Sequence, residues 1–175
     1  MKINLQEAIE TLERTPDALQ QFLSGLSNGW LHTNEGEGTW NAEEVIAHLI
    51  EAEKTNWLAR LETILQKDEN MPFPPFDRFT HLKSSDGSSI EKKLQEFKSV
   101  RMQNIEKLKR LVDPEIHFEL TGIHPEFGPV KLRELLSAWV VHDLTHISQI
   151  VRVMAERYRK DVGPWENYLG VLKRK

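Results

Sequence analysis

His142 and His146 stand four residues apart in the stretch Trp139-Val-Val-His142-Asp143-Leu-Thr-His146-Ile-Ser-Gln149-Ile150. On a helix, residues at this spacing share one face, one above the other. Two imidazoles held that way can share a metal ion. Leu135, Trp139, Ile150 and Val153 follow the same helical spacing, so the pair is aimed at the interior. Buried imidazoles must find hydrogen-bond partners or bind something, because unpaired buried polar groups are costly. A third histidine, His48, lies on a separate apolar stripe with Val45 and Ala52. Three imidazole nitrogens with an open position make a catalytic type of metal site. On residue types and spacing alone, satisfied core histidines are an equal alternative.

His-Asp-Leu-Thr-His departs from the zinc-protease pattern, in which a glutamate after the first histidine is the general base. Asp143 is one methylene shorter and reads as a surface or supporting carboxylate. Gln149 and Thr145 are candidates for holding an imidazole N–H, against an ordinary solvated face. His32, His81 and His117 read as exposed histidines at loops or helix ends. His124, in His-Pro-Glu-Phe-Gly, fits turn chemistry. Arg60 and Arg101 are candidate anchors for an anionic substrate, against the usual solvated or paired arginine. The sequence contains no glycine-rich phosphate loop, nucleophile elbow or serine triad, and no residue is assigned to an organic cofactor.

Four amphipathic helical blocks must position these side chains. The first spans about 5–26 and is interrupted by Pro16, with Thr15-Pro16-Asp17 reading as a cap and restart. The second runs from Asn41, with Glu44 completing a capping box, to about Gln66. The third follows Ser88 or Ser89 and ends near Val112. The fourth opens near Pro129 and runs to about Arg159. No strand is expected. Residues 69–89, rich in proline and aromatics, read as a lid or as a crossover covering one end of a bundle. The tail from Gly163 to Leu172 is expected to pack on the body, and the tryptophans to be core material, with Trp139 at a pocket wall. An all-α four-helix bundle follows, as one domain over 1–175. The long connection between helices two and three permits an up-down-down-up order.

The chain of 175 residues contains no cysteine, which excludes disulfides, thiolate metal sites and a cysteine nucleophile. Its 23 basic and 27 acidic residues give a formal net charge of −4 and are interspersed. That argues against a nucleic-acid surface. No apolar run reaches membrane-spanning length and the N-terminus has no apolar signal core, so the expected location is cytoplasmic.

Two segments carry a family resemblance. Gly38-Thr-Trp40-Asn-Ala-Glu-Glu-Val-Ile-Ala-His48-Leu-Ile-Glu51-Ala-Glu53 and Gly128-Pro-Val-Lys-Leu-Arg-Glu-Leu-Leu-Ser-Ala-Trp139-Val-Val-His142-Asp143-Leu-Thr-His146-Ile-Ser-Gln149-Ile150 resemble the DinB-like (DinB/YfiT) superfamily. The resemblance implies an up-down-down-up four-helix bundle and a divalent metal, zinc or nickel, bound by His48, His142 and His146. It also implies a homodimer. Relatives include transferases and isomerases that use bacillithiol, mycothiol or glutathione, and others described as metal-dependent hydrolases.

The first expectation is therefore a thiol-dependent transferase acting on a small-molecule electrophile, with no membrane or nucleic-acid partner. Metal-assisted hydrolysis is the alternative, with Glu44, Glu51 and Asp143 as candidate bases. A non-catalytic, stress-linked module with a structural metal is the third reading.

Overall fold

A computed structural model describes residues 3–66, 71–83 and 87–173. Helix α1 (Leu5–Leu23) starts at Asn4, whose side chain accepts from the N–H groups of Gln6 and Glu7. The expected restart at Pro16 does not occur: the helix runs through it. Thr15 is not a cap, since its hydroxyl donates to the Thr11 carbonyl at 3.1 Å. Pro16 brings no N–H to the Leu12 carbonyl four residues earlier. Arg101 supplies one instead, its Nη1 reaching that oxygen at 2.9 Å.

After α2 (Asn28–Leu31), α3 (Ala42–Thr55) opens on the expected Asn41–Glu44 capping box. The predicted single helix to Gln66 is broken at Asn56, and α4 (Trp57–Leu65) continues beyond it. Thr55 and Asn56 are residue types whose side chains compete with the helix backbone; the Thr55 hydroxyl bonds the Glu51 carbonyl at 2.9 Å. Helix α5 (Thr80–Lys83) is a single turn, and α6 (Ile90–Leu111) is capped by Ser89. Then come α7 (Pro114–His117), β1 (Thr121–His124), β2 (Gly128–Lys131) and α8 (Leu132–Ala155), followed by 3-10 turns to Leu172.

Two buried clusters fix the direction of each long helix. One contains Leu12, Leu61, Leu108 and Leu135. The other contains Leu23, Ile46, Leu94 and Ile150. Helices α1 and α8 run from the first cluster to the second, while α3–α4 and α6 run the opposite way. Helix α1 packs on α6 and α8, and so does α3. The order is up-down-down-up, with α1 and α3 on a diagonal. Parallel neighbours require a long return connection, and residues 66–89 provide it. Part of that stretch, 67–70 and 84–86, lies outside the described residues.

The expectation of no strand is corrected at 121–131, where β1 and β2 form an antiparallel hairpin with Thr121 opposite Lys131 and His124 opposite Gly128. Its three-residue loop, 125–127, leads into Gly128 at φ 70, the left-handed position such hairpins need. Two strands of four residues, framed by proline and glycine, are too short to show a period. The hairpin also anchors the long connection. Pro72 bridges to Ile123, and the Phe73 N–H donates to the Ile123 carbonyl at 2.8 Å. The Phe73 ring fills the space a side chain at Gly122 would occupy.

The tail packs only in part. Leu172 is buried and its carbonyl accepts from Arg159 at 2.7 Å, whereas Trp165 and Tyr168 stand in solvent. Among the described residues no helix is long and apolar enough to cross a membrane.

Candidate metal centre

Helix α3 brings His48, and α8 brings His142 and His146, to a common point. The Nε2 of His142 lies 3.2 Å from that of His48 and 3.1 Å from that of His146. One nitrogen from each of the three falls within 4.8 Å of the others, a grouping that could hold a metal ion. His48 and His146 are buried and His142 half-buried.

The outer nitrogens set the tautomers. His48 Nδ1 donates to the Arg78 carbonyl at 3.3 Å, and His146 Nδ1 donates to Gln149 Oε1 at 2.8 Å. With those N–H groups committed outward, the Nε2 atoms of both rings present lone pairs to His142. A proton on His142 Nε2 satisfies only one of them. A cation among the three satisfies all. His142 Nδ1 is buried without a partner. Burial, followed by the neighbouring charges of His146 and His81, pushes the His48 pKa down to about 3. Burial and the charges of His146 and His48 hold His142 at about 3 as well. Burial also lowers His146, against the Gln149 hydrogen bond and the Asp143 charge. All three are therefore neutral near pH 7, the state in which imidazole ligates. The donor set fits a borderline divalent ion.

Beneath the histidines lies a buried polar network. Arg101 forms two bonds to Asp143, Nη1 to Oδ2 at 2.6 Å and Nη2 to Oδ1 at 2.9 Å. Its Nη2 also reaches Glu53 Oε1 at 2.9 Å. Trp139 Nε1 donates to the same Glu53 oxygen at 2.8 Å, and Asn104 Nδ2 bonds Glu53 Oε2 at 2.9 Å. Although burial opposes it, the charges of Glu53 and Asp143 hold the Arg101 guanidinium above its ordinary pKa. The reading of Arg101 as a substrate anchor is thereby overturned: the side chain is fully buried and its charge is spent inside the protein. Asp143 is likewise not on the surface. It follows His142 directly and ties the ligand-bearing helix to α6. One guanidinium and two carboxylates leave the network formally at −1, which complements a cation above it.

Among the other candidates, Gln149 takes the expected place, whereas Thr145 turns back to the Val141 carbonyl at 2.7 Å. Glu44 is engaged in its capping box and Glu51 faces Thr55. Trp139 is core rather than pocket wall, at 1% exposure. Trp57, also buried, lies between that core and the histidines, stacked on Trp139 with ring centres 5.9 Å apart and meeting His142 edge-on at 5.0 Å. Trp40 lies over His48 at 4.8 Å, with Phe76 at 5.9 Å from the same ring.

His32 is exposed and pairs with Glu43 at 2.8 Å, and His117 Nδ1 accepts from the Asp113 N–H at 3.0 Å. His124 Nδ1 accepts from the Glu126 N–H at 3.1 Å within the hairpin turn. His81 differs from its expected exposure. It is buried, packs edge-on to Trp40 at 4.5 Å and lies 5.3 Å from the His48 ring. Among the described residues neither ring nitrogen makes a well-aligned hydrogen bond, and burial lowers the pKa of the ring although the Arg78 backbone raises it. Spacing gives no sign of this, because His81 is placed by the long connection rather than by a helix face of the bundle. Glu53, the hub of the network, is betrayed only by its place on the apolar stripe of α3.

A family model, the DinB superfamily, matches residues 11–150. The chain belongs to the DinB superfamily. Among solved structures it is similar to YfiT from Bacillus subtilis, with a TM-score of 0.72 and 22% identity over 92% of this chain and 91% of that one. That protein is described as "a probable metal-dependent hydrolase with an unusual four-helix bundle topology". The likeness shows the same four-helix bundle fold over nearly the whole chain. No curated protein matches this sequence significantly.

Proposed function

We propose that this protein is a metal-dependent enzyme in which His48, His142 and His146 hold one divalent ion, and that it transfers a low-molecular-weight thiol to an electrophile. The carrying observation is the convergence of three neutral imidazoles, with the Nε2 atoms of His48 and His146 at 3.2 and 3.1 Å from that of His142. A divalent ion bound there supplies Lewis acidity, lowering the pKa of a thiol or water that joins it. The protein's residues supply placement. Arg78 and Gln149 orient the imidazoles of His48 and His146, Asp143 and Arg101 fix the helix that carries His142 and His146, and Trp40, Trp57 and Phe76 provide an apolar wall that sheds water. Thiol transfer needs no protein nucleophile, in keeping with a chain without cysteine. Glu53 and Asp143 are engaged in the Arg101 network, Glu44 in its capping box and Glu51 with Thr55. The test is turnover of a generic electrophile with bacillithiol, mycothiol or glutathione by metal-loaded protein. Acceleration by at least one thiol, lost in His142→Ala, is the expected result; none with any of them removes the transferase reading.

Hydrolysis is the second reading, and His81 favours it. This imidazole, buried with its ring 5.3 Å from that of His48, adds a proton acceptor that spacing did not reveal. The description of YfiT as a hydrolase supports the same reading. Hydrolysis predicts thiol-independent turnover that falls in His81→Leu. A homodimer would find an apolar stripe on α8 at Val141, Leu144 and Val151, and light scattering of Leu144→Asp tests it.

A further inference from the structure

Arg60 carries a charge that no described carboxylate answers. It sits on α4, three residues after Trp57, and so one helical turn (about 5 Å) further along the face that meets His142. Its guanidinium lies over the Phe73 ring at 5.4 Å. Its Nε is buried and makes no hydrogen bond. Among the described residues no carboxylate lies within ion-pair distance of it. Burial accordingly lowers its pKa with no compensating anion, whereas Glu35 and Glu156 raise Arg152 and Arg159. One turn earlier, Asn56 Oδ1 is also buried and unpartnered. Asn56 and Arg60 are four residues apart and share a face. The nearby ring of His124 feels the Arg60 charge, which lowers its pKa in addition to burial.

A half-buried guanidinium with an orphaned Nε–H is costly unless an anion completes it. Nε and one Nη make an edge of two parallel donors, the fork that a planar carboxylate accepts bidentately. Because Nε is buried, a ligand reaches it by displacing the side chains that cover it. The Phe73 ring beneath gives the guanidinium an apolar surrounding, which strengthens a charge-assisted bond.

We propose that Arg60 is the binding residue for a substrate carboxylate, with Asn56 accepting a hydrogen bond from a neighbouring donor on the same molecule and the reacting group reaching the three histidines past Trp57. The assignment of the reacting end rests on the proposed metal chemistry; the carboxylate site does not.

The experiment measures binding of benzoate, a carboxylate on an apolar ring, by titration calorimetry, with inorganic phosphate as a parallel probe. Wild type, Arg60→Gln and Arg60→Lys are compared as purified and after metal removal, and metal content is measured in each preparation. Benzoate should bind wild type in both states. Arg60→Gln should weaken it at least tenfold, and Arg60→Lys, which keeps the charge but loses the fork, should fall between. Phosphate should bind more weakly than benzoate. Arg60→Lys also guards against a folding defect, checked by thermal melts of all three proteins. Equal benzoate binding by wild type and Arg60→Gln overturns the proposal, as does no binding to wild type in either state. Phosphate binding as tightly as benzoate overturns the carboxylate assignment. Arg60-dependent binding in a protein that takes up no metal would sink the metal chemistry and leave this site standing.

Discussion

Arg101 and Asp143 meet through two hydrogen bonds of 2.6 and 2.9 Å, with neither side chain exposed to solvent. This pair joins α6 to the residue immediately after a metal-ligand candidate. The position of His142 is therefore governed by a buried charge contact rather than by apolar packing alone. Removing one partner of such a pair is expensive because the other charge stays buried. Asp143→Asn should lower unfolding free energy by about 3 kcal/mol, read by urea denaturation of the metal-free protein. A loss below about 0.5 kcal/mol, the range of ordinary surface changes, would show that the pair holds nothing together.

Gln149 tests orientation separately from stability. Its Oε1 accepts from His146 Nδ1 at 2.8 Å, and its side chain is half-buried near the end of α8. Gln149→Leu removes the acceptor and frees His146 to take the other tautomer. Metal affinity should fall by about 10- to 100-fold, in competition with a chromophoric chelator, while the thermal midpoint of the metal-free protein stays nearly unchanged. An unaltered affinity would contradict the role given to Gln149.

The buried imidazoles also set a pH dependence. His48 and His142 have folded pKa values of about 3, below the ordinary 6.5. The unfolded chain therefore binds more protons than the folded one between those limits. Their neutral state favours folding fully above pH 6.5, and that advantage is lost as pH falls from 6.5 toward about 3. The expected slope is about 1.4 kcal/mol per pH unit for each imidazole. Urea unfolding of metal-free wild type and His48→Gln at a series of pH values checks it. The variant should show the shallower loss, and identical slopes would contradict the assignment.

Much of this was legible in the chain. The i, i+4 pair of α8, the capping box of Asn41 and Glu44, and the third histidine on the α3 stripe follow from helical period, which one sequence displays directly. What was hidden depends on contacts between distant segments. Arg101 looked like a surface anchor because residue type says nothing of two carboxylates 42 and 48 positions away. Pro16 looked like a restart because the donor replacing its missing N–H, Arg101, is 89 positions from the Leu12 carbonyl. His81 and Phe73 ride on the long connection, whose course is decided by strand β1 and Trp40 rather than by any local pattern.

The most direct measurement of the central claim is elemental analysis of purified, metal-reconstituted protein, wild type beside His48→Ala, His142→Ala and His146→Ala, with circular dichroism on each. The account predicts about one divalent ion per wild-type chain and a large loss in every variant with helix content preserved. Wild type that takes up no metal, or three variants that retain the full complement, would contradict it.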